Sequence, residues 1–120
     1  MYYTEYKCER PPEVCKLTNS KLKGDSVDNL CRALLLLESE DECYRFFEDI
    51  CTINELKLMA QRLEVARMLQ EGRTYQQIEN ETGASTATIS RVKRFLHYGA
   101  GGYSLVLERM KEEQVHKSND

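Results

Sequence analysis

Apolar side chains along this chain recur at helical spacing. Val27, Leu30, Cys31 and Leu34 stand at i, i+3, i+4 and i+7, and Leu35, Leu36 and Leu37 widen the stripe. The spacing predicts a first helix from Asp25-Ser26 to about Glu38. Ser39-x-x-Glu42 reads as a capping box that opens a second helix, with Cys43, Phe46, Phe47 and Ile50 inward. Thr52-x-x-Glu55 opens a third, running to about Glu71 and stopped by Gly72. This third helix is apolar around most of its circumference, through Leu56, Leu58, Met59, Ala60, Leu63, Val65, Ala66, Met68 and Leu69. A helix that apolar needs cover on several sides. In so short a chain the expected cover is a second subunit, so the pattern predicts a homodimer.

Arg62 interrupts this helix among Leu58, Val65, Ala66 and Leu69. A guanidinium there must reach out to water, pair with an acid or meet a ligand. Thr74-x-x-Gln77 caps a short fourth helix, and Thr82-Gly83-Ala84 makes a turn, with Gly83 suited to positive φ. Ser85-x-x-Thr88 starts a fifth helix ending near Tyr98, before Gly99-Ala100-Gly101-Gly102. Ile78, Ile89 and Val92 are spaced to pack these two helices together. A final helix is expected from about Tyr103 to Glu113, with Val106, Leu107 and Met110 inward and Gln114–Asp120 frayed. No sustained alternation of period two occurs, so the fold class is all-α with six helices. Residues 1–24, broken by Pro11-Pro12, read as an irregular N-terminal arm, and residues 25–120 as one domain. The arm carries five cations against three acids, which suits either a basic strand touching phosphates or a solvated or partner-packed tail.

Charge sharpens the picture. The 120 residues carry a net charge of −3. Residues 73–98 hold Arg73, Arg91, Lys93 and Arg94 against Glu79 and Glu81, a local +2 within that total, which leaves −5 for the rest. A local patch, not the total, sets a footprint on nucleic acid. Five cysteines at irregular spacing, with no signal peptide and no C-x2-C pair, point to reduced thiols in a cytoplasmic protein without a metal site. Cys31 and Cys43 fall at apolar positions and are expected as small buried hydrophobes. The longest apolar run, Ala33–Leu37, is too short to cross a membrane. No glycine-rich phosphate loop and no H-E-x-x-H motif occurs, and His97 and His116 lie beside no nucleophile pattern, so no enzyme is indicated.

The stretch from Thr74 to His97 carries the functional chemistry. Two short helices joined at Gly83, the second opening on small and hydroxylated residues, have the layout of a helix-turn-helix. Ser85, Thr86, Ala87 and Ser90 lie in the first turns of the second helix, where hydroxyls can bond base edges and methyl groups can touch thymine. Arg91, Lys93 and Arg94 follow and are long enough to reach phosphates. Tyr75, Gln76 and Glu79 on the preceding helix could meet backbone or groove edge. Double-stranded DNA is the partner this order of residues implies. The plainer alternative is an ordinary helical hairpin with a solvated basic face.

These residues bear a family resemblance. Cys51–Leu69 with Gln70-Glu71-Gly72, and then Asn80-Glu81-Thr82-Gly83-Ala84-Ser85-Thr86-Ala87-Thr88-Ile89-Ser90-Arg91, resemble the tryptophan repressor family, most nearly its shorter YerC/YecD-type subgroup. The resemblance covers roughly residues 26–115. It implies an intertwined helical homodimer whose two reading helices enter successive major grooves of a near-palindromic operator. It also implies an effector site in which Arg62 and Arg91 flank a planar ligand beside Thr52. Val92 and Phe95 stand where the repressor has a glycine and a serine. That site is therefore expected to be filled from within or to take a smaller, unknown effector, with no cofactor assigned and tryptophan not expected as a strong effector. The resulting expectation is a sequence-specific transcriptional regulator, in the sense of a repressor. Two rivals stay open: an interaction module of the same fold without operator binding, and the DNA-binding fragment of a recombinase or transposase.

Overall fold

The computed structural model describes residues 23–118, and within them six helices follow one another: α1 (Asp25–Leu35), α2 (Glu40–Ile50), α3 (Ile53–Gln70), α4 (Tyr75–Thr82), α5 (Thr86–Tyr98) and α6 (Gly102–Ser118). The arm expected over residues 1–24 lies outside the described residues except for Lys23 and Gly24. Four of the helices start on a local side-chain cap, at Ser39, Thr52, Thr74 and Ser85. Thr52 and Glu55 form a complete reciprocal box at the start of α3. The Thr52 hydroxyl accepts from the Glu55 N–H at 3.1 Å, and Glu55 Oε1 accepts from the Thr52 N–H at 3.0 Å. These bonds, the one from the Thr52 backbone first, hold the Glu55 carboxyl below the usual carboxylate range. Thr74 and Gln77 repeat the device at α4. At the C-terminus of α3, Gly72 takes φ +78°, the Gly72 N–H reaches the Leu69 carbonyl and the Arg73 N–H reaches that of Met68. That is a Schellman motif, which satisfies carbonyls the helix would otherwise leave open.

Two expected boundaries shift, and one expected capping box forms only in part. α1 ends at Leu35, not Glu38, because Ser39 must take extended backbone to cap α2. The chain leaves the helix through tightened bonds from Leu36 to Ala33 and from Leu37 to Leu34, both 3.2 Å. At α2 only half of the expected box forms. Ser39 Oγ accepts from the Glu42 N–H, but the Glu42 carboxylate accepts from the Glu38 N–H instead of that of Ser39. α6 runs to Ser118 instead of fraying from Gln114, supported by a Glu113–Lys117 pair one turn apart at 3.6 Å and a bond from the Ser118 hydroxyl to the Val115 carbonyl.

The core sits entirely between α3 and α6. Val65, Ala66 and Met68 of α3, Ile78 of α4, Ala84 of the turn, Ile89 and Val92 of α5 and Leu107 of α6 are buried, with Leu63, Leu69, Tyr75 and Tyr103 packed against them. Of the three α6 residues expected inward, Leu107 is buried, while Val106 and Met110 are exposed. Neither α1 nor α2 contributes a buried residue. Cys31 is accordingly exposed and Cys43 and Cys51 are half-buried, not the core residues expected for the first two, because nothing among the described residues covers those helices. The radius of gyration, 16.4 Å, exceeds the roughly 13 Å of a compact 100-residue chain. Among the described residues, no helix is long and apolar enough to cross a membrane.

Candidate nucleic-acid interface

The turn between α4 and α5 is built by one threonine and one glycine. The Thr82 hydroxyl donates to the Ile78 carbonyl at 2.7 Å and accepts from the Ala84 N–H at 3.1 Å. Gly83 follows at φ +73°, and its N–H caps α4 on the Glu79 carbonyl at 2.9 Å. A Cβ at Gly83 would meet nothing within 4 Å, so glycine is required there by backbone conformation and not by space. From the core side, the Gln61 amide of α3 donates to the Thr82 carbonyl at 3.0 Å. The angle between α4 and α5 is thus tied to the long helix beneath it. Sequence reasoning misses Gln61. Its signal, a polar residue beside Arg62 on an apolar helix, gives no hint of a partner 21 positions away.

On α5, Ile89 and Val92 point into the core, and Thr86, Ala87 and Ser90 lie exposed in the first turns. Ser85 is the N-cap. Its hydroxyl accepts from the Thr88 N–H and donates to the Thr88 hydroxyl, both at 3.1 Å. Its proton is therefore engaged within the helix, unlike that of an open base-reading residue. Thr86 donates its hydroxyl proton to the Glu79 carboxylate of α4. Arg91, Lys93 and Arg94 are exposed, and α5 contains no acid of its own. The Lys93 ammonium lies 5.7 Å over the ring of Tyr75, which itself packs against the core, while Gln76 beside it is exposed. Nearby, Arg73 pairs with Glu81. With Arg73 neutralised, the cationic character of this surface rests on the three α5 side chains.

The residues expected to flank an effector are not joined in one network. Thr52 is occupied as the N-cap of α3. Arg62 is half-buried and forms no hydrogen bond or ion pair among the described residues. The Arg91 guanidinium lies 5.8 Å over the Phe95 ring, one turn further along the same helix. A stronger cation network belongs to α3 itself. Arg67 bonds Glu64 and Glu71, which holds the Glu64 carboxyl below the usual range and raises the already high Arg67 pKa. Among the described residues, no group of three His, Cys, Asp or Glu is placed to hold a metal ion.

Comparison with known proteins agrees with this architecture. The family described as Trp repressor protein matches residues 25–111. The uncharacterized protein YerC of Bacillus subtilis (strain 168) is 59% identical over 99 residues, which are 82% of this chain and 95% of that protein. Two crystal structures share the fold. A candidate Trp repressor from Staphylococcus aureus superposes with a TM-score of 0.76 at 51% identity, covering 80% of this chain and 96% of its own. A TrpR-like protein from Eubacterium eligens superposes with a TM-score of 0.75 at 57% identity, covering 78% of this chain and 96% of its own.

Proposed function

The chain belongs to the Trp repressor protein family, and from that premise we propose that it is a dimeric, sequence-specific DNA-binding regulator acting as a repressor. In this reading α4, the Gly83 turn and α5 form the helix-turn-helix of residues 25–120, and α5 enters the major groove. The observation that carries it is the exposed first-turn surface of Thr86, Ala87 and Ser90, followed by Arg91, Lys93 and Arg94 on a helix without acids and locked in place by Thr82 and Gly83. Small side chains let the helix end approach base edges, and long cations beyond them reach phosphates. Tyr75 and Gln76, at the start of α4, would touch the backbone beside the groove.

The dimer is supported by the apolar faces of α1 and α2 and of the first turns of α3, which nothing among the described residues covers. Leu35 and Leu36 are 74% and 77% exposed, and Ile53 77%. Isolated exposed leucines are ordinary, but two whole helices without a buried residue are not. In the proposed effector site, the buried Val92 and the half-exposed Phe95 ring under Arg91 support a reading in which L-tryptophan is not a strong effector. The test is selection of bound DNA from a random pool, followed by binding at several salt concentrations. An enriched near-palindrome whose affinity falls steeply with salt is the expected result. No enrichment, or weak binding insensitive to sequence, would leave an interaction module as the better reading.

A further inference from the structure

We infer that Glu79 and Thr86 act as one specificity element that reads a cytosine amino group on the DNA strand it faces. This rests on the proposed DNA-binding role of α5. Thr86 is the first residue of α5 and exposed, and its hydroxyl proton is donated to Glu79. A hydroxyl has a single proton. With that proton committed, Thr86 offers a groove only acceptor lone pairs and a methyl group. The carboxylate likewise only accepts. The pair therefore presents acceptors alone, held together across two helices by a bond that fixes the carboxylate's direction.

The major groove answers such a surface selectively. Guanine shows two acceptors there and thymine shows one beside its methyl, so both repel it. Adenine shows an amino donor next to the N7 acceptor, whereas cytosine shows its amino donor without a neighbouring acceptor. Cytosine is thus the best match and adenine the second. The position of Glu79 gives a second reason. It bonds the first residue of the helix that carries three exposed cations, on a surface proposed to face a polyanion, where a carboxylate opposes binding unless a donor meets it. The free N–H groups at the start of α5 favour a carboxylate there in the unbound protein, so the pair is set before DNA arrives.

The test uses the full chain and its Glu79→Gln, Glu79→Ala and Thr86→Val variants in parallel random-pool selections, with thermal melting as a control on folding. Wild type is expected to enrich cytosine at one fixed position of each half-site, by about tenfold over guanine or thymine. Glu79→Gln should move that preference toward adenine, which an amide can bond at two atoms, and Glu79→Ala should flatten it. Thr86→Val, which removes the hydroxyl at constant shape, should weaken it. Affinity of the Glu79 variants for unrelated DNA should hold or rise, because a negative charge is gone. If wild type enriches a sequence and both Glu79 variants keep its preference at every position, this inference is overturned while the DNA-binding reading stands. It is overturned equally if they lose affinity for all sequences alike along with melting temperature, since the bond would then serve structure only. If wild type enriches nothing, the reading of α5 falls and this inference with it.

Discussion

The two halves of the molecule use the same kind of helix cap and are buried very differently. In α1, α2 and the first turns of α3, the caps at Ser39 and Thr52 are made, yet α1 and α2 bury no side chain. From Val65 onward, caps at Thr74 and Ser85 accompany a closed core reaching to Leu107. Caps act over three or four residues and decide where a helix starts. Burial needs another surface, and the first half finds none among the described residues. What separates the halves is therefore the origin of their cover. The second half supplies its own, and the first half is proposed to take it from a second copy.

The sharpest way to break that contrast is to charge the open half. Leu35 and Leu36 are 74% and 77% exposed in the single chain, so Leu35→Glu with Leu36→Glu should cost an isolated protomer little. Covered by a partner, each unpaired buried charge costs about 3–5 kcal/mol. Light scattering should therefore show a dimer in wild type and a loss of assembly in the variant. A wild-type monomer, or an unchanged dimer in the variant, would reject the proposed cover. In the closed half, Ile78→Ala or Ile89→Ala leaves a cavity around a fully buried position and should cost about 2–5 kcal/mol, read by denaturant unfolding. Gly83→Ala forces a side chain into left-handed backbone and should cost about 1–2 kcal/mol, with operator binding lost before fold.

The smallest effect concerns acid. The folded pKa of Glu55 is depressed, so its contribution to stability is present above the unfolded pKa. It disappears as pH falls from the ordinary carboxylate range through the lower folded value. Glu64, depressed mainly by its bond to Arg67, acts in the same sense. Melting temperature should fall across that window, and Glu55→Gln, which preserves the capping box, should flatten part of the decline.

What could be read from sequence divides along the same line. The boxes at Thr52 and Thr74, the stops at Gly72 and Gly83 and the start of α5 all rest on partners within a few residues, and all stand where the pattern places them. The amide of Gln61 and the proton that Thr86 gives to Glu79 answer to positions set by packing, and no local spacing announces them. Cys31 reads as buried because periodicity reports which face is apolar, not whether anything covers it. The contact of Arg91 with Phe95 has ordinary helical spacing, but residue type alone marks one as a cation and the other as a filler of space, and does not pair them.

α3 is the one helix that passes through both halves, and it contains neither glycine nor proline from Ile53 to Gln70. Its 18 residues extend about 27 Å at 1.5 Å each. Gln61 fastens the α4–α5 turn to its middle. In a two-fold assembly seated on its first turns, the distance between the two α5 helices is consequently set by a rigid rod, with no swivel to absorb error. Inserting a single base pair between half-sites would slide one of them about 3.4 Å along the duplex and rotate it about 34° around the axis. Such a protein should tolerate base changes within its half-sites far better than any change in the number of base pairs between them.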